Sequence, residues 1–336
     1  MWSLLSGERD RNDTQNFISK KCENEPLGVL LEYIDGTEVC GNILVSNMKR
    51  INFLFCNHLL YHERVDVDYE EEYQEAGLEH SCALFSYEDL LRGKLSLYGE
   101  EISGLTIYRG WMMKPEMYRQ FYKLLEERNI ILINSPDEYE RYHLLPGWYE
   151  EFKNETAESV WETEGSIESV YKLAKGLQGS YIIKDYVKSR KHEWYDVFFI
   201  RNISDNEKSM KIISNFINRQ GTDLVGGVVL RKYEKIKQIG FHEKSGMPIS
   251  EKYRVFVLAG QVLAIEDYWC KGRKVTFSEA EWKWIRKMTA KINSNFVTMD
   301  IARKEDNNLM IIELGDGQVS GLQQIRPYDF YTALQI

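Results

Sequence analysis

Two apolar runs, each delivering a carboxylate and joined by a short polar turn, constrain this chain more than any other feature. Phe296-Val297-Thr298-Met299-Asp300-Ile301 leads into a turn from Arg303 to Asn308, and Met310-Ile311-Ile312-Glu313-Leu314-Gly315-Asp316-Gly317-Gln318 follows. Such a pattern predicts a β-hairpin. Paired across it, Asp300 and Glu313 lie side by side, and like charges facing each other across a ladder are unfavourable. A bound divalent cation offsets them most simply. Hard carboxylate oxygens suit Mg²⁺, which takes one or two protein carboxylates together with substrate phosphates. The glycines around Asp316 let backbone and a third carboxylate approach a ligand closely. Phosphate chemistry is therefore the first expectation, with two exposed carboxylates on a surface ribbon as the alternative.

A chain of 336 residues, 43% hydrophobic and 13% aromatic, has room for two or three domains with substantial cores. Its net charge of −9 and pI near 5.4 argue against a general nucleic-acid binder, and DNA is not an expected partner. Cys22, Cys40, Cys56, Cys82 and Cys270 are scattered without CxxC spacing, which fits free thiols in a reducing compartment. The amino terminus lacks the basic and apolar regions of a signal peptide. No apolar run approaches the ~18 residues of a membrane span. These features predict a soluble cytoplasmic protein with no membrane partner.

Three regions are expected. Residues 1–48 carry an Asp35-Gly36 turn between apolar runs, read as an N-terminal β-ribbon extension. Residues 49–150 alternate strand and helix, which predicts a parallel sheet covered by helices. Within them, Ile51 to Cys56, Cys82 to Phe85, Leu105 to Tyr108 and Ile130 to Ile133 read as strands, and Pro115 opens a helix. The aromatic stretch from Asn134 to Glu164 reads as a connector with helical pieces. Residues 151–336 read as α+β and mainly antiparallel. Strands are expected at Tyr181 to Lys184, Val197 to Arg201 and Leu224 to Tyr233, a hairpin at Tyr253 to Asp267, and a helix opened by a Ser278/Glu281 capping box.

Several side chains suit phosphate chemistry. Lys184 ends an apolar strand and precedes the basic turn Lys188-Ser189-Arg190-Lys191-His192, a grouping that can grip phosphate oxygens. A solvated charged loop is the competing reading. Leu230-Arg231-Lys232-Tyr233 runs from an apolar strand into a polar segment that could offer its backbone to an adenine edge. Arg254 is flanked by apolar strand residues and calls for an anion, either a structural carboxylate or a transferring phosphate. Arg109 lies just past a strand's carboxyl end, where open parallel sheets bind ligands. Bidentate pairing suits it to a carboxylate, and Trp111 stands nearby; a structural arginine is the alternative. No kinase signature, Walker A motif or Lys-x-Asp-Gly motif occurs.

In this order, the segments Tyr108-Arg109-Gly110-Trp111, Asn134-Ser135-Pro136, Leu145-Pro146-Gly147-Trp148, Ile183-Lys184-Asp185-Tyr186-Val187-Lys188, Tyr253-Arg254-Val255-Phe256, Val297-Thr298-Met299-Asp300 and Glu313-Leu314-Gly315-Asp316-Gly317-Gln318 resemble the ATP-grasp superfamily of carboxylate–amine ligases. The resemblance is nearest to a subgroup of bacterial and phage genomes named for one arginine and two lysines. It implies a pre-ATP-grasp α/β domain followed by two α+β lobes that clasp ATP. By that resemblance Lys184 and Lys188 contact the nucleotide, Leu230 to Tyr233 read adenine, Arg254 stabilises the transferring phosphoryl group, and Asp300 and Glu313 hold Mg²⁺. The Glu-x-Asn of many such enzymes is here Glu313-Leu314-Gly315, so Asp316 or Gln318 stands for the missing asparagine. Gln318 also joins Arg109 and Trp111 among the substrate candidates. The basic turn replaces the usual glycine-rich loop. The implied reaction joins a small-molecule carboxylate to an amine, an amino acid or peptide, through an acyl-phosphate. A protein or tRNA acceptor, a non-catalytic ATP-binding module, and homo-oligomerisation stay open.

Overall fold

The β–α alternation of the first third closes into a five-stranded sheet. In the computed structural model, which describes residues 51–241, 248–269 and 275–334, its strands are β1 (Asn52–Cys56), β2 (Ser81–Phe85), β3 (Leu97–Gly99), β4 (Gly104–Arg109) and β5 (Ile130–Leu132). Their order is β3-β2-β1-β4-β5, parallel except for the edge strand β3. Phe53, Leu54 and Phe55 of β1 are fully buried, as expected for a strand covered on both faces. The crossover helix Pro115–Glu126 starts with proline in its first turn and buries Tyr118, Phe121 and Leu125 at helical spacing. The ribbon expected over residues 1–48 lies outside the described residues.

The expected connector is more ordered than its composition suggests. Ser135 and Glu138 form a reciprocal capping box that opens the helix Pro136–His143. A second helix, Leu145–Phe152, follows. Their Tyr142, Leu145, Trp148, Tyr149 and Phe152 enter one apolar core with Tyr253, Val255, Val297, Met299 and Leu314. The rest of the stretch becomes β6 (Ser159–Glu162), a strand the aromatic composition concealed.

Two four-stranded antiparallel sheets follow. The first runs β6-β9-β7-β8, with β7 (Tyr181–Asp185), β8 (Phe199–Ile200) and β9 (Val228–Lys232). The strand expected from Val197 to Arg201 shrinks to two residues, because Trp194–Phe198 coil as a π-helical turn. A two-stranded ribbon joins β10 (Gln238–Phe241) to β11 (Pro248–Ser250). The second four-stranded sheet runs β13-β12-β14-β15, with β12 (Lys252–Leu258), β13 (Gln261–Asp267), β14 (Phe296–Arg303) and β15 (Leu309–Asp316). Ala259 and Gly260 turn the β12–β13 hairpin with φ of 49° and 79°, the left-handed pair its two-residue loop needs. All described residues belong to one compact unit, Leu44–Ile336. None of their helices is long and apolar enough to cross a membrane.

The parallel sheet is locked to the end of β15 by a buried ion pair. Arg109 is fully buried; its Nε and Nη2 donate to Glu72 at 2.8 and 3.0 Å, and its Nη1 donates to the carbonyls of Gly317 and Gln318 at 2.7 and 3.1 Å. The Tyr331 hydroxyl completes Glu72 at 2.8 Å. Removing one partner of such a pair strands the other charge in the interior. Arg109→Met should therefore cost about 3–5 kcal/mol in denaturant unfolding. The double variant Arg109→Met/Glu72→Met should lose less than the two single variants summed; additive losses would show that the pair is not coupled.

Candidate active site

The β14–β15 hairpin forms with Asp300 directly opposite Glu313. One detail of the ladder was not legible in the sequence. The register slips between Asp300 and Ile301, so Ile312 and Glu313 together oppose one residue. This bulge re-aims a side chain, as bulges near functional sites do. Ile311 and Leu314 stay in the core, while Ile312 and Glu313 both line a cavity of about 430 Å³ between the two antiparallel sheets. Arg231 of β9 holds the bulge: its Nη2 donates to the Ile312 carbonyl at 2.9 Å and to Thr156 Oγ1 at 2.6 Å.

The two carboxylates are balanced by cations from three strands. Asp300, 2% exposed, accepts from Arg254 Nε at 2.8 Å and Nη2 at 3.0 Å, and pairs with Lys252 Nζ at 2.7 Å. Glu313 pairs with Lys184 of β7. Burial alone would raise both carboxyl pKa values. The Arg254 and Lys252 charges outweigh it at Asp300, and Lys184 with Lys252 does so at Glu313, so both are held low and ionised. Lys252 was not singled out in the sequence, although strand alternation places it on the same face as Arg254. His143, buried nearby, has its imidazole pushed down to about 4 by desolvation against the pull of Glu313, and so adds no charge at neutral pH.

The cavity carries an excess of positive charge. Lys184, Lys191, Arg231, Lys252 and Arg254 stand at or beside it against Asp300 and Glu313, which leaves three positive charges. At its rim Lys232 and Lys235 are matched by Glu234 and Glu305. Arg231 has no carboxylate partner among the described residues, and burial lowers its pKa to about 10, so it remains charged at neutral pH. At the opposite end Trp194, Phe198, Tyr233, Ile182 and Ile249 give apolar walls. A flat apolar slot that opens onto a cationic floor fits a nucleotide.

Other sequence candidates fall elsewhere. Leu230 is fully buried in the core of its own sheet, and the backbone N–H of Tyr233 is donated to the Ser180 carbonyl at 2.9 Å, leaving the Lys232 and Tyr233 side chains in the cavity. Lys188 is exposed in the turn after β7, where its N–H and the Val187 N–H cap Asp185. Arg109 is not in the cleft, because a buried guanidinium needs the Glu72 carboxylate that satisfies it. Gln318 is fully buried, bonded to the Tyr118 hydroxyl at 2.7 Å and the Tyr108 N–H at 3.3 Å. Trp111 is 47% exposed and packs on Tyr87. Asp316 faces the interior, where Asn134 Nδ2 at 2.6 Å and the Gln318 N–H at 2.9 Å satisfy it while burial pushes its carboxyl up to about 7. Gly317 serves packing there, since a Cβ would meet the Phe296 ring at 2.6 Å.

As a metal site the arrangement is a two-carboxylate one. Among the described residues no group of three acidic, histidine or cysteine side chains could hold an ion. Asp300 and Glu313 nevertheless fit Mg²⁺, whose remaining positions go to phosphate oxygens and water.

Residues 174–334 match a family model described as an ATP-grasp domain, family 3 of its clade. No curated protein matches the sequence. Among solved structures, the chain is similar to a RimK domain protein ATP-grasp from Sphaerobacter thermophilus, at 11% identity and a TM-score of 0.53, covering 85% of this chain and 99% of that one. It is similar to D-alanyl-alanine synthetase A from Vibrio cholerae, at 11% identity and a TM-score of 0.52, covering 84% and 93%. The ATP-grasp ligase PsnB complexed with minimal precursor gives 12% identity and a TM-score of 0.51, covering 84% and 98%. The fold is the ATP-grasp fold.

Asp300→Asn should destabilise the protein by about 3–5 kcal/mol, because it leaves Lys252 and Arg254 buried without their carboxylate. Glu313→Gln, at a half-open position, should cost less. The folded pKa of Asp300 lies below that of the unfolded chain. Its contribution is therefore complete above the unfolded carboxylate range and is lost as pH falls below about 4. Wild-type stability should drop more steeply in that window than that of Asp300→Asn; parallel curves would remove the ion cluster from the account.

Proposed function

We propose that this protein is an ATP-dependent carboxylate–amine ligase of the subgroup named for one arginine and two lysines. The observation that carries the reading is a cavity with three uncompensated positive charges, facing a pair of ionised carboxylates, within an ATP-grasp fold. Polyphosphate supplies the missing negative charge. The family model matched over residues 174–334 supports ATP-grasp chemistry, and the ordered sequence segments from Tyr108 to Gln318 support the subgroup. The name of D-alanyl-alanine synthetase A is in keeping with amide-forming chemistry on this fold.

In the proposed reaction, a carboxylate oxygen of the substrate attacks the γ-phosphorus of ATP. The bond from that phosphorus to the β,γ-bridging oxygen breaks, and ADP leaves with its electron pair. An amine nitrogen then attacks the acyl carbon of the acyl-phosphate. The carbon–oxygen bond to phosphate breaks, phosphate departs, and the amine gives up a proton. Lys184, Lys252 and Arg254 neutralise and orient the phosphates, while Lys188 approaches from the turn. Bound by Asp300, Glu313 and the phosphates, Mg²⁺ would supply further charge neutralisation. The amine and carboxylate are read as amino acids or peptides, and the Tyr233 and Trp194 end as the adenine side.

Isothermal titration of ATP with Mg²⁺ tests the reading. Wild type should bind more tightly with Mg²⁺ than without it. Glu313→Gln should lose the Mg²⁺ dependence, and Lys184→Ala should weaken binding roughly tenfold or more. Binding would then direct a screen of amino acids and peptides for ADP and phosphate release. A folded wild type that binds no nucleotide would sink the proposal and favour a non-catalytic module.

A further inference from the structure

Asp300 and Glu313 are not the only place where the two antiparallel sheets meet. Lys191 belongs to the turn that follows β7. Its ammonium stands 5.2 Å from the ring centre of Tyr268 and 4.8 Å from that of Trp269, residues that follow β13 in the other sheet. The two rings lie 5.0 Å apart at 62° and form a corner around the ammonium. Their backbone is fixed: the Tyr268 N–H donates to the Lys252 carbonyl at 2.8 Å and the Trp269 N–H to Asp267 Oδ1 at 2.8 Å. The Tyr268 ring also receives Lys252 Nζ at 3.8 Å and the Arg254 guanidinium at 5.0 Å. One aromatic face thus gathers three cations.

The chemistry of that corner differs from an ion pair in one respect. A carboxylate would hold Lys191 and cancel its charge. A ring holds a cation through its quadrupole and leaves the net charge in place. Among the described residues no carboxylate pairs with Lys191, and both Lys191 and Trp269 line the cavity. Burial, and then the nearby Lys252 charge, lower its pKa, the mark of a cation held where it lacks an anion. The rest of the basic turn is spent or exposed: Arg190 is paired with Glu193 at 2.5 Å, and Lys188 faces solvent.

We propose that Lys191 is a phosphate-binding residue of the ATP site and that Tyr268 and Trp269 are positioning residues that dock its turn onto the opposite sheet. The inference rests on the ATP reading of the cavity. In this chain a lysine held by two rings does from a side chain what a glycine-rich loop does with backbone N–H groups.

The test is isothermal titration of the full chain with Mg·ATP and, separately, with adenosine. Lys191→Met should weaken ATP binding roughly tenfold and leave adenosine unchanged. Tyr268→Leu and Trp269→Leu should shift ATP in the same direction. Tyr268→Phe, which keeps the ring, should recover most of the loss. Adding Tyr268→Leu to Lys191→Met should cost nothing further, since the ring acts through the lysine. If Tyr268→Leu fails to fold, Lys191→Met and Tyr268→Phe carry the test. Equal losses for ATP and adenosine would reduce the corner to a structural tie and overturn the proposal. Lys191→Met binding ATP like wild type, while Lys184→Ala weakens it, would overturn this inference and leave the ATP reading standing. A wild type that binds neither ligand would take both down.

Discussion

Two carboxylates at one rung of a β-ladder are a constraint that much of this molecule answers. Asp300 and Glu313 cannot both stay ionised in a half-buried cleft unless cations approach from several directions. β12 supplies Lys252 and Arg254 from the strand alongside. β7 supplies Lys184 from the other sheet, so one ion pair joins the two layers that form the cavity. The apolar face of the same sheet fixes the geometry. Tyr253, Val255, Val297, Met299, Ile311 and Leu314 sit in a close-packed core beneath, so the charged side chains above them project from strands that cannot slide.

The balance at the site is not a stability device. Replacing a buried ion pair with well-packed apolar groups is often neutral or stabilising, so such pairs are weak evidence for stability as a purpose. Here the cations also outnumber the carboxylates. Arg231 spends its donors on neutral acceptors, and Lys191 is held by aromatic faces. Both arrangements keep a positive charge where an anion can use it, at the cost of desolvating it. A site built only for cohesion would have matched each cation with a carboxylate, as the Arg109–Glu72 pair does a short way off.

Where the sequence was legible, local periodicity and turn chemistry carried the information. Hairpin register, the faces of β12, the capping box at Ser278 and the proline-opened helix all follow from rules that act over a few residues. The failures share a different cause. Arg109 reads as a ligand-binding arginine at a strand end, yet its partners are Glu72, 37 positions away, and carbonyls 208 and 209 positions away. Asp316 reads as a third metal ligand, but the bulge between Asp300 and Ile301 fixes which residues of β15 face the cleft, and Asn134 claims Asp316 from 182 positions away. Lys252 was legible in principle, because it shares a face with Arg254, and was missed because its neighbours gave it no motif. The strands β3, β6, β10 and β11 are too short for alternation to separate them from loops.

The bulge also explains why a sequence without the usual asparagine after its glutamate can still present a two-carboxylate site. A regular ladder would point Glu313 and Ile311 to the same face of the sheet, and Ile311 is in the core. One extra residue turns Glu313 outward beside Ile312, and Arg231 then holds the exposed Ile312 carbonyl that the bulge creates. The arginine that sequence reading assigned to a nucleotide-facing backbone segment is thus the group that sets the aim of a carboxylate. Its charge remains beside the cavity while its donors do structural work. Function and fold meet in that side chain: removing it would release the bulge and one of the three surplus charges together.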